Sequence, residues 1–440
     1  MNRTRKFKLT PCFICMLLAY SAITHAEKNL SSVYVLAEQQ DPRFAQANVN
    51  RNIANEIWYE SLGQLLPDLS MSAKTSGETL DNRKNTFQNI GKQKFWKSTI
   101  DINLTQPLFR WDAWVQLTQA DNEVAKSEVD FFSAKQNLML RVAEAYFNVL
   151  ASQDQWELTR SEITAIQEQL NQAKAALSVG VGKRTDVYEA EAAYAKAMAR
   201  EIETLNLLGD SKEVLKEIVG DVDIELHKIG DDIPLVRPQP ENIQEWADVA
   251  IQNNLDIISS FNQLEISRKE VSRQWAGHLP SLDLVGHYGV ADDSSSFGLR
   301  GDTGSFGMQL SMPIFQGGST QARINKAEYQ VTIAEQDFES IQRQVRKEVR
   351  NAFRGVMSEL SRVQALATAV EASEQAVEGV KAGLKEGTRT MVDVLSEQRF
   401  LYLNKVDYAQ ARYTYLLNGL RLKKWTSTLD AEDLQSIDKL

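Results

Sequence analysis

The chain has 440 residues, 43% hydrophobic and 25% charged, with a formal charge of −10 at pH 7. That composition is globular rather than disordered, and an acidic chain with no basic patch is poorly suited to nucleic acid. Its two cysteines, Cys12 and Cys15, lie in the first 26 residues, which excludes a disulfide scaffold, a thiolate metal site and a cysteine nucleophile for the remainder.

The first predicted element is a targeting segment. Arg3, Arg5, Lys6 and Lys8 precede an apolar run from Cys12 to Ala19, and Thr24-His25-Ala26 offers small residues at a cleavage position. The run is too short to span a bilayer, so residues 1–26 are expected to be a secretory signal, with Glu27 the mature start. Removing its four cations takes the formal charge from −10 to −14. No later stretch has about 18 consecutive apolar residues, so any membrane crossing falls to strands.

The rest reads as two copies of one unit, at 27–220 and 241–428. Leu66-Pro67-Asp68-Leu69 returns as Leu279-Pro280-Ser281-Leu282, and Gln106-Pro107-Leu108-Phe109 as Met312-Pro313-Ile314-Phe315. Beyond these, an offset of 207 pairs Leu117 with Ile324, Phe131 with Phe338, Ala145 with Ala352 and Asp186 with Asp393. Between the copies, residues 221–240 contain Pro234, Pro238 and Pro240 and form an irregular connector. Residues 429–440 form a separate C-terminal segment.

Each copy opens with a short leading helix followed by two proline-bounded strand segments. Ile100, Ile102 and Leu104 alternate with Thr99, Asp101 and Asn103, and Leu69, Met71 and Ala73 with Ser70, Ser72 and Lys74. In the second copy Leu282 and Leu284 alternate with Ser281 and Asp283, and Phe306, Met308 and Leu310 with Gly307 and Gln309. Such period-two patterning suits strands of an outer-membrane barrel, with loops at about Gly77 to Lys94 and Ala291 to Gly304. Trp96 with Trp111 and Trp114, and Tyr288 with Phe297, suit aromatic girdles. Four strands cannot close a barrel, so membrane-spanning strands require oligomerisation.

Very long helices follow. From Asp112 to Ser178 no proline interrupts the pattern, a span of about 100 Å at 1.5 Å per residue. Leu117, Val124, Phe131 and Leu138 recur every seven residues, with small residues three positions on, as in a supercoiled seam. The second copy runs from Ile324 to about Glu386. Gly180-Val181-Gly182 and Gly387-Thr388-Arg389 end these helices, and return helices follow from Thr185 to about Val219 and from Thr390 to about Trp425.

No constellation of catalytic residues emerges. Gly182-Lys183-Arg184-Thr185 lacks the leading glycine of a phosphate loop, where Leu177 stands, and no strand precedes it. His227, His278 and His287 are scattered without ligand spacing, and the many helical carboxylates suit solvated faces. The expectation is no enzyme, no metal and no cofactor. Helices alone would equally suit a secreted periplasmic adaptor or scaffold, but such a protein carries one hairpin beside soluble β-domains, whereas here two hairpins accompany four alternating strands.

The duplicated halves, their LPxL and PIF junctions and the turn Glu386-Gly387-Thr388-Arg389-Thr390-Met391-Val392-Asp393-Val394-Leu395 resemble the outer-membrane efflux protein family over about Leu30 to Leu434. The resemblance implies a mainly α protomer of a homotrimeric duct, giving four membrane strands to a twelve-stranded β-barrel in outer-membrane lipid, with coiled-coil helices reaching into the periplasm of a Gram-negative bacterium. It implies recruitment by an inner-membrane transporter and a periplasmic adaptor protein for efflux or type I secretion. The implied adaptor-docking tip comprises Gly180, Val181 and Gly387. Thr185 and Asp186 would latch Arg389, and Asp393 would form a carboxylate ring at the pore constriction. Two positions depart from the family's pattern: Leu384 replaces a latch tyrosine, and Ser396 replaces a second ring aspartate.

Overall fold

A computed structural model describes residues 27–81, 91–222, 224–230, 233–294 and 300–440. The proposed signal at 1–26 and Phe297 lie outside these described residues. Each repeat begins with two helices rather than one: α1 (Leu30–Gln40) and α2 (Pro42–Gly63), then α5 (Ile243–Asn253) and α6 (Leu255–Trp275). The break has a local cause. Asp41 caps α2 by accepting from the Phe44 amide at 2.6 Å, with Pro42 at the first helical position, and Asn254 caps α6 through the amides of Asp256 and Ile257. The paired helices have matching starts displaced by 213 residues, so the duplication extends through the leading helices. Asp41 also accepts from Arg141 at 2.9 Å. Burial opposes its ionisation, but the Arg141 side chain and the Phe44 amide prevail and hold the carboxyl below the usual carboxylate range.

Four strands follow the helices in antiparallel order β1-β2-β3-β4: β1 (Asp68–Asp81), β2 (Lys92–Phe109), β3 (Ser281–Asp293) and β4 (Arg300–Ser311). They are longer than their apolar alternation. Polar Lys92, Gln93 and Lys94 pair with Asp81, Leu80 and Thr79, so both ends of the loop expected from Gly77 to Lys94 are strand, while residues 82–90 lie outside the described residues. Backbone pairing continues where no apolar face is needed, which hydropathy cannot register. The β2–β3 ladder joins the repeats, while the outer edges of β1 and β4 have no partner strand among the described residues.

The long helices are α3 (Trp111–Ser178) and α7 (Ser319–Lys385), returning as α4 (Arg184–Val219) and α8 (Met391–Trp425). Nearest the sheet, α6 lies between α3 and α7, and α2 flanks α3 on its far side. Further away α3 packs against α4 and α8. The main core sits midway along, where Leu138, Val142, Tyr146 and Leu150 of α3 meet Leu30 and Val33 of α1, Tyr413 and Leu420 of α8, and Leu434 of the terminal helix α9 (Ala431–Ile437). The connector packs here too: Leu226 bridges Lys28, and the Gly230 amide donates to the Leu440 carbonyl at 3.1 Å.

Candidate functional site

The two interhelical turns share one plan. After α3, Gly180 adopts φ 82°, and the amides of Val181 and Gly182 donate to the Ala176 carbonyl at 3.1 and 3.0 Å. After α7, Gly387 adopts φ 76°, and the amides of Thr388 and Arg389 donate to the Gly383 carbonyl at 2.9 and 3.2 Å. Nothing lies within 4 Å of a Cβ built on Gly180 or Gly387, so positive φ rather than crowding selects glycine there. Crowding governs a second pair. A Cβ on Gly182 would lie 2.6 Å from the Leu177 nitrogen, and one on Gly383 would lie 2.7 Å from Cγ of Arg389. Ala176 with Gly182 and Gly383 with Arg389 are equivalent pairs, so each turn clears the same space from opposite sides.

Both turns meet at one end of the molecule. Leu170 and Ala173 of α3, Val187 and Ala190 of α4 and Met391 of α8 form one buried cluster, with Leu177, Leu384 and Leu395 packed against it. Leu384 thus supplies apolar contact where the family pattern has a hydroxyl. Around this cluster stand the polar residues singled out from sequence. Thr185 and Asp186 begin α4, their side-chain oxygens 3.4 Å apart. Arg389 is exposed and makes no ion pair among the described residues, so the protomer itself does not bring it onto Asp186.

Asp393 has a local task that the sequence reading missed. It forms a capping box with Thr390, accepting from the Thr390 amide at 2.8 Å while its own amide donates to Thr390 Oγ1 at 3.3 Å. The Thr390 amide and hydroxyl hold the Asp393 carboxyl below the usual carboxylate range, and the Arg389 charge acts in the same direction. Within one protomer this direction is opposite to the rise that repulsion around a carboxylate ring would produce. The Thr-x-x-Asp spacing was the available signal.

Further from the tip, a buried polar layer ties the two hairpins together. Arg200 of α4 bonds Glu162 of α3 and lies 5.1 Å over the Tyr402 ring of α8, whose hydroxyl is 3.1 Å from Thr159 Oγ1.

At the opposite end, strand register sorts the side chains of the sheet. Met71 pairs with Ile102 and Ile102 with Tyr288, while Leu282 pairs with Leu310 and Leu284 with Met308. Directly paired residues share a face, so one face is apolar across all four strands. Ser72, Asp101 and Gly289, with Asp283 and Gln309, occupy the other. Trp96 lies on the apolar face near one end, and Trp111 and Trp114 stand exposed beyond the other. His287 on the polar face bonds Asn103 at 2.9 Å, and His227 bonds Glu27 at 2.9 Å. Where sheet becomes helix, Arg110 forms a bidentate pair with buried Asp283, with both bonds at 2.9 Å. Among the described residues no helix is long and apolar enough to cross a membrane, and no group of three acidic, histidine or cysteine side chains converges as a metal site.

Residues 33–221 and 246–427 match the family described as outer membrane efflux protein. The chain is 30% identical to the outer membrane protein TolC of Vibrio cholerae serotype O1 over 98% of each chain. It is 29% identical to the alkaline protease secretion protein AprF of Pseudomonas aeruginosa, over 92% of this chain and 85% of that one. In fold it is similar to the crystal structure of the Campylobacter jejuni CmeC outer membrane channel, with a TM-score of 0.78 and 16% identity over 94% of this chain and 90% of the other.

Proposed function

This chain belongs to the outer membrane efflux protein family, and from that premise we propose a homotrimer gated at its helical tip and recruited by an inner-membrane transporter through a periplasmic adaptor protein. The protein resides in the outer membrane as a duct for efflux or type I secretion. Residues 1–26 would be removed on export. The adaptor or scaffold reading is not favoured, because the family match spans both repeats.

The observation that carries the proposal is the two-faced sheet with unpaired outer edges at one end of helices about 100 Å long. Three copies would close the edges, turn the apolar face to lipid and leave Asp101, Asp283 and Gln309 lining a lumen. At the other end, Gly180, Val181 and Gly387 would meet the adaptor. Arg389, without an ion pair among the described residues of its own protomer, would reach Thr185 and Asp186 of a neighbouring one, and Asp393 would line the constriction. A latch between protomers rather than within them is suited to opening all three tips together.

Purified protein in planar bilayers is expected to give discrete cation-selective currents, enlarged by Arg389→Ser. A correctly assembled membrane oligomer that carries no current overturns the conduit.

A further inference from the structure

Strand register brings together, on the polar face of the sheet, side chains whose spacing in sequence suggests nothing. His287 of β3 lies opposite Asn103 of β2, and Gly289 lies opposite Asp101. The Asn103 carboxamide oxygen can only accept, so His287 Nδ1 donates to it, at 2.9 Å. In the neutral ring the other nitrogen, Nε2, then carries a lone pair. It stands 3.8 Å from Oδ1 of Asp101, too far for a direct hydrogen bond. Two electron-pair donors therefore face one another across a short gap.

Gly289 keeps that gap open. Its φ is not positive, so backbone conformation does not call for glycine there. Space does: a Cβ at 289 would lie 2.8 Å from Asp101 Oδ1 and 2.9 Å from His287 Nε2, the two atoms nearest to it. Any larger residue would push both donors aside.

We propose that His287 Nε2 and Asp101 Oδ1 together hold a divalent transition-metal ion on the lumenal face, one for each protomer. An imidazole nitrogen beside a carboxylate suits zinc, nickel or copper, whereas magnesium and calcium favour oxygen donors alone. Two donors each about 2.1 Å from one ion are about 3.4 Å apart at a tetrahedral angle and at most about 4.2 Å apart. The observed 3.8 Å falls within that range. The bond from Nδ1 to Asn103 is the outer contact that a ligating histidine commonly makes, and it fixes the tautomer with Nε2 free. Neighbouring polar-face positions, Ser72 beside Asp101 and Thr303 beside Gly289, are neutral, and Lys74 lies two residues along from Ser72. With only two protein donors, water completes the coordination and the ion exchanges readily. Bound ions add positive charge to the lumen wall, so they lower the preference of the pore for cations.

This inference rests on the reading above that the polar face lines the lumen, and two measurements separate the two ideas. Zinc binding is read on the detergent-solubilised protein by equilibrium dialysis, and ion selectivity in planar bilayers with and without zinc. Both use an Asp393→Ala parent, which removes the tip carboxylate as a competing cation site. His227 and His278 are common to every variant, so differences report on His287. His287→Gln and Gly289→Ala are each expected to bind one zinc ion fewer per chain than the parent. In Gly289→Ala both donors remain, and the added Cβ meets only the mobile ends of their side chains, so the strands should pair as before. Asn103→Ala should bind zinc about tenfold more weakly. Zinc should shift the reversal potential of the parent toward anions and leave that of His287→Gln and Gly289→Ala where it was. Retention of the ion by either of these two variants, or its displacement by excess magnesium, overturns the metal site and leaves the duct standing. Loss of the ion in both, with no effect of zinc on the parent's selectivity, overturns the lumenal placement of this face instead.

Discussion

The Cβ atom that Gly383 lacks would lie 2.7 Å from Cγ of Arg389 and 3.1 Å from Oγ1 of Thr388. Real Cβ atoms essentially never sit as close as 2.7 Å, so glycine at 383 is what allows the Arg389 stem to lie across the end of α7. Alanine at the equivalent position of the first repeat, Ala176, is tolerated because Gly182 stands where Arg389 does. Gly383 is thus a positioning residue for the proposed latch cation.

Gly383→Ala is accordingly expected to displace Arg389 and mimic its removal. Overpacking of this kind costs about 1–3 kcal/mol, which the exposed arginine can relieve by swinging away. Planar-bilayer currents should rise toward those of Arg389→Ser while trimer yield stays near wild type. A Gly383→Ala protein with wild-type current would show that the position of Arg389 does not set the gate.

Charge and capping at Asp393 can be separated by choice of substitution. Asp393→Asn keeps a side-chain oxygen for the Thr390 amide and removes the charge, so cation selectivity should fall with little loss of stability. Asp393→Ala removes both and should also cost about 1 kcal/mol at the start of α8. Because the folded carboxyl titrates low, its contribution is present above the ordinary aspartate value of about 3.9 and is lost as pH falls through the lower folded value. Selectivity should hold from pH 7 to about 5. A decline already in that window would mean that repulsion between copies outweighs the capping bonds.

The two sheet faces should respond unequally to charge. Ile102→Arg, on the apolar face, is expected to cost about 2–4 kcal/mol at mid-membrane depth and to reduce the assembled fraction in outer-membrane extracts. Asp101→Arg, one residue away on the polar face, should assemble normally and change ion selectivity. Equal assembly of the two variants would contradict the lipid-facing assignment.

Substitutions at the tip glycines should act through backbone conformation and surface shape. Asparagine tolerates positive φ, so Gly180→Asn and Gly387→Asn should preserve the turns. Gly180→Trp and Gly387→Trp project bulk into open space. Tryptophan also strains the positive-φ backbone there, so lost adaptor docking requires that both tryptophan variants abolish export in cells while the asparagine variants, which keep the turns, export normally. Normal export by both tryptophan variants would remove these turns from the docking surface.

Much of this architecture was already readable from the residues because its signals are local. Proline-bounded junctions, glycine turns and a seven-residue repeat placed α3, α4, α7 and α8 close to their observed ends, and side-chain alternation found all four strands. The Asp41-Pro42 break between α1 and α2 and the Thr390–Asp393 capping box were equally local, yet they are short signals inside longer helical patterns and went unread. Other features needed the folded chain. Polar rungs such as Lys92 with Asp81 depend on backbone pairing between strands, not on hydropathy. Leu226 on Lys28 and the Leu440 carbonyl on Gly230 join residues far apart in sequence. The latch geometry belongs to this second class: sequence named Arg389 and Asp186, but only packing revealed that Gly383 seats the arginine and that the pair does not form within one protomer. Periodicity determines which elements exist and which face each must bury; the distances between elements arise when those faces meet, and no local pattern encodes them.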